Sequence, residues 1–231
     1  RSFNSAVAVG DAVFWMGYDR FYIYDGRVNV IPCSVRDHVF KDFNETQSEK
    51  VYAGVNTAFG EVFWFYPSAT NAVVNGGTGE NDKYVVYNYD QKIWYVGSLS
   101  RTSWVDRGVY QYPMATASNL VYNHEKGNDD DGTAFTAFIE SSPIDIQEGD
   151  QFVFLRRMIP DVSFENSDSG IADSDKTTVF SLKAQRSPGG GFIKTSTNNV
   201  ASTTELNHLR LRGRSFGLRV ESTTQGVNWR L

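Results

Sequence analysis

Phe21-Tyr22-Ile23-Tyr24-Asp25-Gly26 is an aromatic run that ends in a tight polar turn, and its pattern returns twice in the first half of the chain. The second occurrence is Tyr84-Val85-Val86-Tyr87-Asn88-Tyr89-Asp90, and the third is Asn119-Leu120-Val121-Tyr122-Asn123-His124. Aromatic and β-branched side chains suit a pleated, half-buried surface, so each run reads as a strand. Asp-Gly is a strong hairpin signal, because both central positions of a two-residue turn ask for positive φ. After the second run the turn leads into Ile93-Trp94-Tyr95, a further strand. Strand-turn-strand units at intervals imply blade-like sheets stacked about a common axis.

Working outward, residues 13–17 form the strand before the first run, and residues 27–31 form the strand after it, ended by Pro32. Residues 50–56 and 61–66 make another hairpin through Ala58-Phe59-Gly60, and strands are expected at 101–105, 108–112 and 120–123. Ser34 followed three residues later by Asp37 reads as a capping box, and Val35, Val39, Phe40 and Phe43 recur at helical spacing. One short amphipathic helix is therefore expected at 35–43. The polar, Gly-rich stretch 68–82 reads as a flexible surface loop.

Asn128-Asp129-Asp130-Asp131-Gly132 breaks the pattern and divides the chain into residues 1–132 and 133–231. Beyond it, strands are expected at 135–141, 152–159, 177–186, 206–212, 215–222 and 227–231. Phe180, Leu182 and Ala184 alternate with Ser181, Lys183 and Gln185; Phe216, Leu218 and Val220 alternate with Gly217, Arg219 and Glu221. A period of two marks sheets with one buried and one wet face, as in a β-sandwich. The expected fold is all-β: propeller-like blades in a partial ring, then a β-sandwich. About three blade-sized units fit in residues 1–132, whereas closed propellers need at least ~4. An open array would leave exposed edges. Either residues upstream of Arg1 complete the ring or another part of an assembly covers the edges; the former is favoured, and the absence of an initial methionine leads to the expectation that the natural start is missing.

The formal charge is −5: residues 1–132 hold eleven Lys/Arg against sixteen Asp/Glu, and residues 133–231 eleven against eleven. That balance is unlike a basic, sequence-reading nucleic-acid domain. The single cysteine, Cys33, excludes an intrachain disulfide and a multi-cysteine zinc site, and reads as a small buried residue. No apolar run approaches the roughly 20 residues that span a bilayer. His38, His124 and His208 are too scattered to suggest a triad, and no Gly-x-Ser-x-Gly elbow occurs. Gly76-Gly77-Thr78-Gly79 lacks the Gly-Lys-Ser/Thr of a phosphate loop. Asp129, Asp130 and Asp131 lack the alternate spacing and closing Glu of a calcium loop. Carboxylates such as Glu140, Asp145 and Asp150 carry no weight as a glycosidase pair without a known separation. Neither a catalytic site, a metal nor a cofactor is expected.

The unusual charged feature is Arg210, Arg212 and Arg214, followed by Arg219 and Arg230. Alternation places Arg210 and Arg212 opposite Leu209 and Leu211, and a hairpin at Gly213-Arg214 would carry the row on to Arg219. One reading is a solvated face balanced by Glu205 and Glu221. The other is an intersubunit or DNA-phosphate contact, which arginine's planar fork suits.

Several stretches carry a family resemblance: Phe14-Trp15-Met16-Gly17 with Tyr24-Asp25-Gly26, Val62-Phe63-Trp64-Phe65-Tyr66-Pro67, Asn81-Asp82-Lys83-Tyr84-Val85-Val86-Tyr87-Asn88, and Arg219-Val220-Glu221-Ser222 with Gly226-Val227-Asn228-Trp229-Arg230-Leu231. Through them the chain resembles virion proteins of tailed bacteriophages, in particular the tail nozzle proteins of short-tailed phages, also called tail tubular protein B. The resemblance implies a β-propeller joined to further β-domains in a hexameric ring. It implies as partners a portal adaptor, tail fibres or other appendages, and genome DNA that touches the channel transiently and without sequence preference. The role it implies is architectural, without catalysis or membrane insertion, and the acidic first half would repel phosphate along a channel. Two other readings start from the same residues. Trp15, Trp64, Tyr66, Trp94 and Trp104 could stack on sugars in a glycan-binding or glycan-cleaving propeller, and the β-architecture also suits a baseplate or fibre-attachment module of a longer-tailed phage.

Overall fold

A computed structural model describes residues 1–146 and 150–231. Strand accounts for 45% of residues and helix for 8%, and every strand pairing among the described residues is antiparallel, so the chain is all-β. It separates into two compact units, Arg1–Lys126 and Gly127–Leu231. Asp129, Asp130 and Asp131 fall in the second, so the negative balance is not confined to the first.

The first unit contains three sheets. In the first sheet β1 (Ala6–Val9), β2 (Ala12–Met16), β3 (Phe21–Tyr24) and β4 (Val28–Ile31) pair in chain order. The second repeats that order with β5 (Tyr52–Asn56), β6 (Glu61–Tyr66), β7 (Lys83–Asn88) and β8 (Ile93–Ser98). The third has β9 (Ser103–Val105) and β11 (Leu120–Asn123) flanking β10 (Met114–Ala117). Residues 108–112, expected as a strand, form turns closed by a bond from Gly108 N to Tyr110 O.

The first two sheets share one register. Val13 faces Tyr24 and Trp15 faces Tyr22 in the first; Val62 faces Tyr87 and Trp64 faces Val85 in the second. Val13-Phe14-Trp15 and Val62-Phe63-Trp64 thus hold equivalent places. Strand β6 is buried on both sides, and its period of two divides the load. Val62, Trp64 and Tyr66 pack with Phe14, Met16, Phe21 and Ile31 of the first sheet. Phe63 and Phe65 pack the other way, with Trp104 and Ala115 of the third. The second sheet is therefore a middle layer. Burying each large side chain stabilises it by roughly 1.5–3 kcal/mol before entropy is counted.

Packing would leave the indole N–H groups of Trp64, Trp94 and Trp104 short of water, and each of the three finds a main-chain carbonyl in a neighbouring segment. Trp64 Nε1 donates to Ser5 O at 2.9 Å, just before β1, and Trp94 Nε1 to Pro32 O at 2.8 Å, just after β4. Trp104 Nε1 of β9 donates to Val55 O of β5 at 2.8 Å. Close approach there requires Gly54, whose added Cβ would lie 2.5 Å from Trp104 Cδ1.

Helix α1 (Arg36–Lys41) is shorter than the expected 35–43. Its N-cap is Val35, with no side-chain hydrogen bond, so the expected capping box does not form. The apolar spacing still works: Val39 and Phe43 are both buried. The turn after β3 has three residues, since Tyr24 pairs with Val28, and only Gly26 takes positive φ (98°). The 68–82 stretch is tied shut. Ser68 N and Oγ both donate to the Asp82 carboxylate at 2.7 Å, and Asn71 Nδ2 donates to Thr78 Oγ1 and Glu80 O.

In the second unit a five-stranded sheet runs β12 (Ala137–Glu140), β18 (Ser215–Ser222), β15 (Thr177–Gln185), β16 (Phe192–Ala201), with β13 (Ile144–Asp145) also on β18. Strands β14 (Val153–Met158) and β17 (Asn207–Gly213) form a separate two-stranded ribbon. Leu209 and Leu211 of the ribbon pack on Ala184 and Phe216, with Val153 and Leu155 beside them. Phe180, Val200 and Val220 form a second cluster with Trp229. The expected alternation on β15 is incomplete, because Ser181 and Gln185 are buried as well. Residues 227–231 are not a strand: Arg230 makes only an isolated bridge to Ser163.

Candidate functional site

The ribbon carries the arginines singled out by spacing. Leu209 and Leu211 point into the core, so the period of two turns Arg210 and Arg212 outward, and both are exposed. Phe154 of β14 lies directly across from Arg212. The pairing register then slips between Leu155 and Arg157, and Arg156 and Arg157 are both exposed at the irregularity. Such bulges re-aim side chains.

Two phenyl rings order the guanidinium groups. Arg212 and Arg214 each place Cζ 5.2 Å from the Phe152 ring centre, and Arg156 Cζ lies 5.5 Å from that of Phe154. Phe152 and Phe154 are 43% and 49% exposed, so the rings belong to the surface and not to the core. Arg214 Nε is buried and has no hydrogen-bond partner among the described residues.

Between the ribbon and β16 lies a cleft of about 780 Å³ lined by Phe154, Arg156, Lys194, Thr195, His208 and Arg210, among others. The ion pairs of this unit are Lys176–Asp173, Lys183–Glu140, Arg219–Glu140 and Arg219–Glu221. Among the described residues, then, Arg156, Arg157, Lys194, Arg210, Arg212 and Arg214 have no carboxylate partner.

Arg219 does not continue the row. Core packing of Phe216 and Val220 turns it to the other outer face, where its Nη1 lies 2.9 Å from Glu140 Oε2 and its Nη2 2.7 Å from Glu221 Oε2. Its Cζ sits 3.9 Å from the Phe138 ring centre. Hydrogen bonds from Lys183 and Arg219 hold the Glu140 carboxyl below the usual carboxylate range. Spacing therefore found Arg210, Arg212 and Arg214, but it missed Arg156 and Lys194. Only the cross-strand pairing brings those two beside the row.

Several other titratable groups are engaged within the fold. His124 Nε2 accepts from Arg101 Nε at 2.9 Å and its ring lies 4.8 Å from Trp104. His38 is on α1 and His208 on β17. Tyr95 donates to Glu61 Oε1 at 2.5 Å, and burial together with that carboxylate pushes its phenol up. Burial first and Glu61 second raise the Glu125 carboxyl. Among the described residues no group of three or more His, Cys, Asp or Glu is placed to hold a metal ion, and no helix is long and apolar enough to cross a membrane.

Of the aromatics considered for sugar stacking, Trp64, Tyr66 and Trp104 are buried. Trp94 is half-buried and committed to Pro32 O. Trp15 is half-buried, with its ring stacked on Tyr22 at 5.4 Å. No protein-family model matches the chain, and no curated protein matches it.

Proposed function

We propose that this chain is an architectural subunit of a short-tailed phage tail nozzle, with propeller blades in the first unit and a β-sandwich in the second. One observation carries the reading. The second sheet buries Ala53, Val62, Trp64, Val85 and Tyr87 of one face, with Trp94 half-buried beside them, by stacking on the first sheet. In the shared register the equivalent face of the first sheet is Ala6, Ala8, Val13, Trp15, Tyr22, Tyr24, Val28 and Val30. It contains no charged residue, and Tyr24, Val28 and Val30 are 46%, 58% and 46% exposed. A blade that stacks by this face in one copy and bares it in the next calls for a further blade. That is how a ring of blades is built.

The family resemblance supplies the setting: a ring assembly below a portal adaptor, carrying fibres, with genome DNA passing through it. Trp64, Tyr66 and Trp104 are buried between the sheets, which favours this over the glycan-binding reading at those rings, since a sugar platform needs accessible ones. The test is a native mass measurement and an axial projection image of the purified protein. A closed ring with this unit among its blades is the expected result. A protein that stays monomeric at high micromolar concentration sinks the proposal.

A further inference from the structure

We propose that the outer face of the β14–β17 ribbon, with the cleft to β16, binds the phosphodiester backbone of a nucleic acid strand. The inference stands on the second unit alone and does not rest on the tail reading. Its first support is charge. Arg156, Lys194, Arg210, Arg212 and Arg214 gather on one ribbon and its neighbouring strand, and among the described residues none has a carboxylate partner. A protein with net charge −5 has acids to spare, and Glu140 and Glu221 are used to neutralise Arg219 on the opposite face. Cations left unpaired side by side repel one another, and an anion laid across them relieves that repulsion.

The second support is order. The guanidinium groups of Arg212 and Arg214 are held over Phe152, and that of Arg156 over Phe154. Stacked guanidinium groups keep their forks free and lose less conformational freedom on meeting a phosphate. The third is spacing. Alternate residues along a strand stand about 6.8 Å apart, a step comparable to that between successive phosphates of an extended chain, so Arg210 and Arg212 can meet neighbouring phosphates. Thr195 and Ser196 add hydroxyl donors on the far wall, and the exposed parts of Phe152 and Phe154 offer apolar surface to bases. Nothing here reads base edges, so binding is without sequence preference.

Fluorescence anisotropy of a labelled 20-nucleotide oligo-dT, titrated with the whole chain at several salt concentrations, tests this. Contacts from Arg156, Lys194, Arg210 and Arg212 to four phosphates give a log–log salt slope near −2.8, since each contact on single strands contributes about 0.7. Affinity should then fall about 50-fold between 50 and 200 mM salt. The double variant Arg210→Ala/Arg212→Ala should flatten the slope by about 1.4. Arg27→Glu, an exposed turn position in the first unit, should leave binding unchanged. If the first double variant loses its circular dichroism spectrum, Arg156→Ala/Lys194→Ala reads the same change from β14 and from the far wall, β16. No binding at 50 mM salt and 20 μM protein overturns the inference, as does a slope unaltered in a folded double variant. A heparin fragment that binds more tightly than oligo-dT at matched charge overturns the nucleic-acid assignment in favour of a sulfated glycan.

Discussion

Replacing Gly54 by alanine should separate the second and third sheets of the first unit. The added methyl would fall 2.5 Å from Trp104 Cδ1, 2.6 Å from Cγ and 2.8 Å from Cβ. Ordinary contact begins near 3.4 Å, so the nearest atom is almost 1 Å too close. Cβ and Cγ are the root of the side chain, and rotating the indole away would break the bond from its Nε1 to Val55 O. Overpacking of this kind costs about 1–3 kcal/mol and the lost hydrogen bond about 1 kcal/mol. Restricting the unfolded chain gives back about 0.4–1 kcal/mol. A net loss near 2 kcal/mol should lower the urea midpoint by about 1 M, given a slope of about 2 kcal/mol/M. Tryptophan fluorescence is a suitable probe, because Trp15, Trp64, Trp94 and Trp104 lie in the first unit and only Trp229 in the second. In a Trp104→Ala background the two nearest atoms, Cδ1 and Cγ, are gone and only Cβ remains at 2.8 Å, with no indole bond left to lose, so the penalty should shrink to well under half. A Gly54→Ala protein within about 0.5 kcal/mol of wild type would refute the reasoning. So would an equal penalty in both backgrounds.

Trp64→Phe should cost about 2–3 kcal/mol, because it leaves a void and strips Ser5 O of its donor; urea denaturation reads it directly. For Glu140 the folded carboxyl lies below its ordinary range, so the folded state releases that proton more readily than the unfolded chain. Its contribution is complete above the ordinary carboxylate range and is lost as pH falls through the folded value. The melting-temperature advantage of wild type over Glu140→Gln should therefore shrink between pH 6 and pH 3, and a gap that widens on acidification would contradict the sign. Burial pushes the Cys33 thiol up to about 11. Iodoacetamide labelling at pH 8 should be at least about tenfold slower in the native protein than in urea, as judged by mass spectrometry.

Local chemistry made much of the fold legible, and non-local pairing accounts for what was hidden. The aromatic runs at 21–24, 84–88 and 120–123 announced strands because bulky rings have few other places to go. Strands β1 and β10, built on Ala6-Val7-Ala8-Val9 and Met114-Ala115-Thr116-Ala117, are small-residue sequences that show no such bias. Their need is set by the partner: Ala115 is small because Trp104 and Phe65 fill that space. Strand β16 was likewise silent, since Lys194, Thr195, Ser196, Thr197, Asn198 and Asn199 read as a polar loop until β15 pairs with them. The capping box failed for another reason. The helix takes Val35 as its N-cap, one residue past Ser34, so the serine does not stand where its hydroxyl could cap.

For the site, alternation along β17 correctly turned Arg210 and Arg212 outward, while extending it to Arg219 assumed that one sheet continues through the turn. Gly213 instead hands the chain from ribbon to sheet. That change of layer reverses which side of the unit the alternate residues see.

The indole bonds to Ser5, Pro32 and Val55 all end on main-chain oxygens, a group that every amino acid supplies. Whatever residue comes to stand at those three acceptor positions, the donor keeps its partner so long as the backbone path is held. Such fastening lets descendants of this chain drift widely at the acceptor positions while their layers stay in step, and places the burden of constancy on three tryptophans.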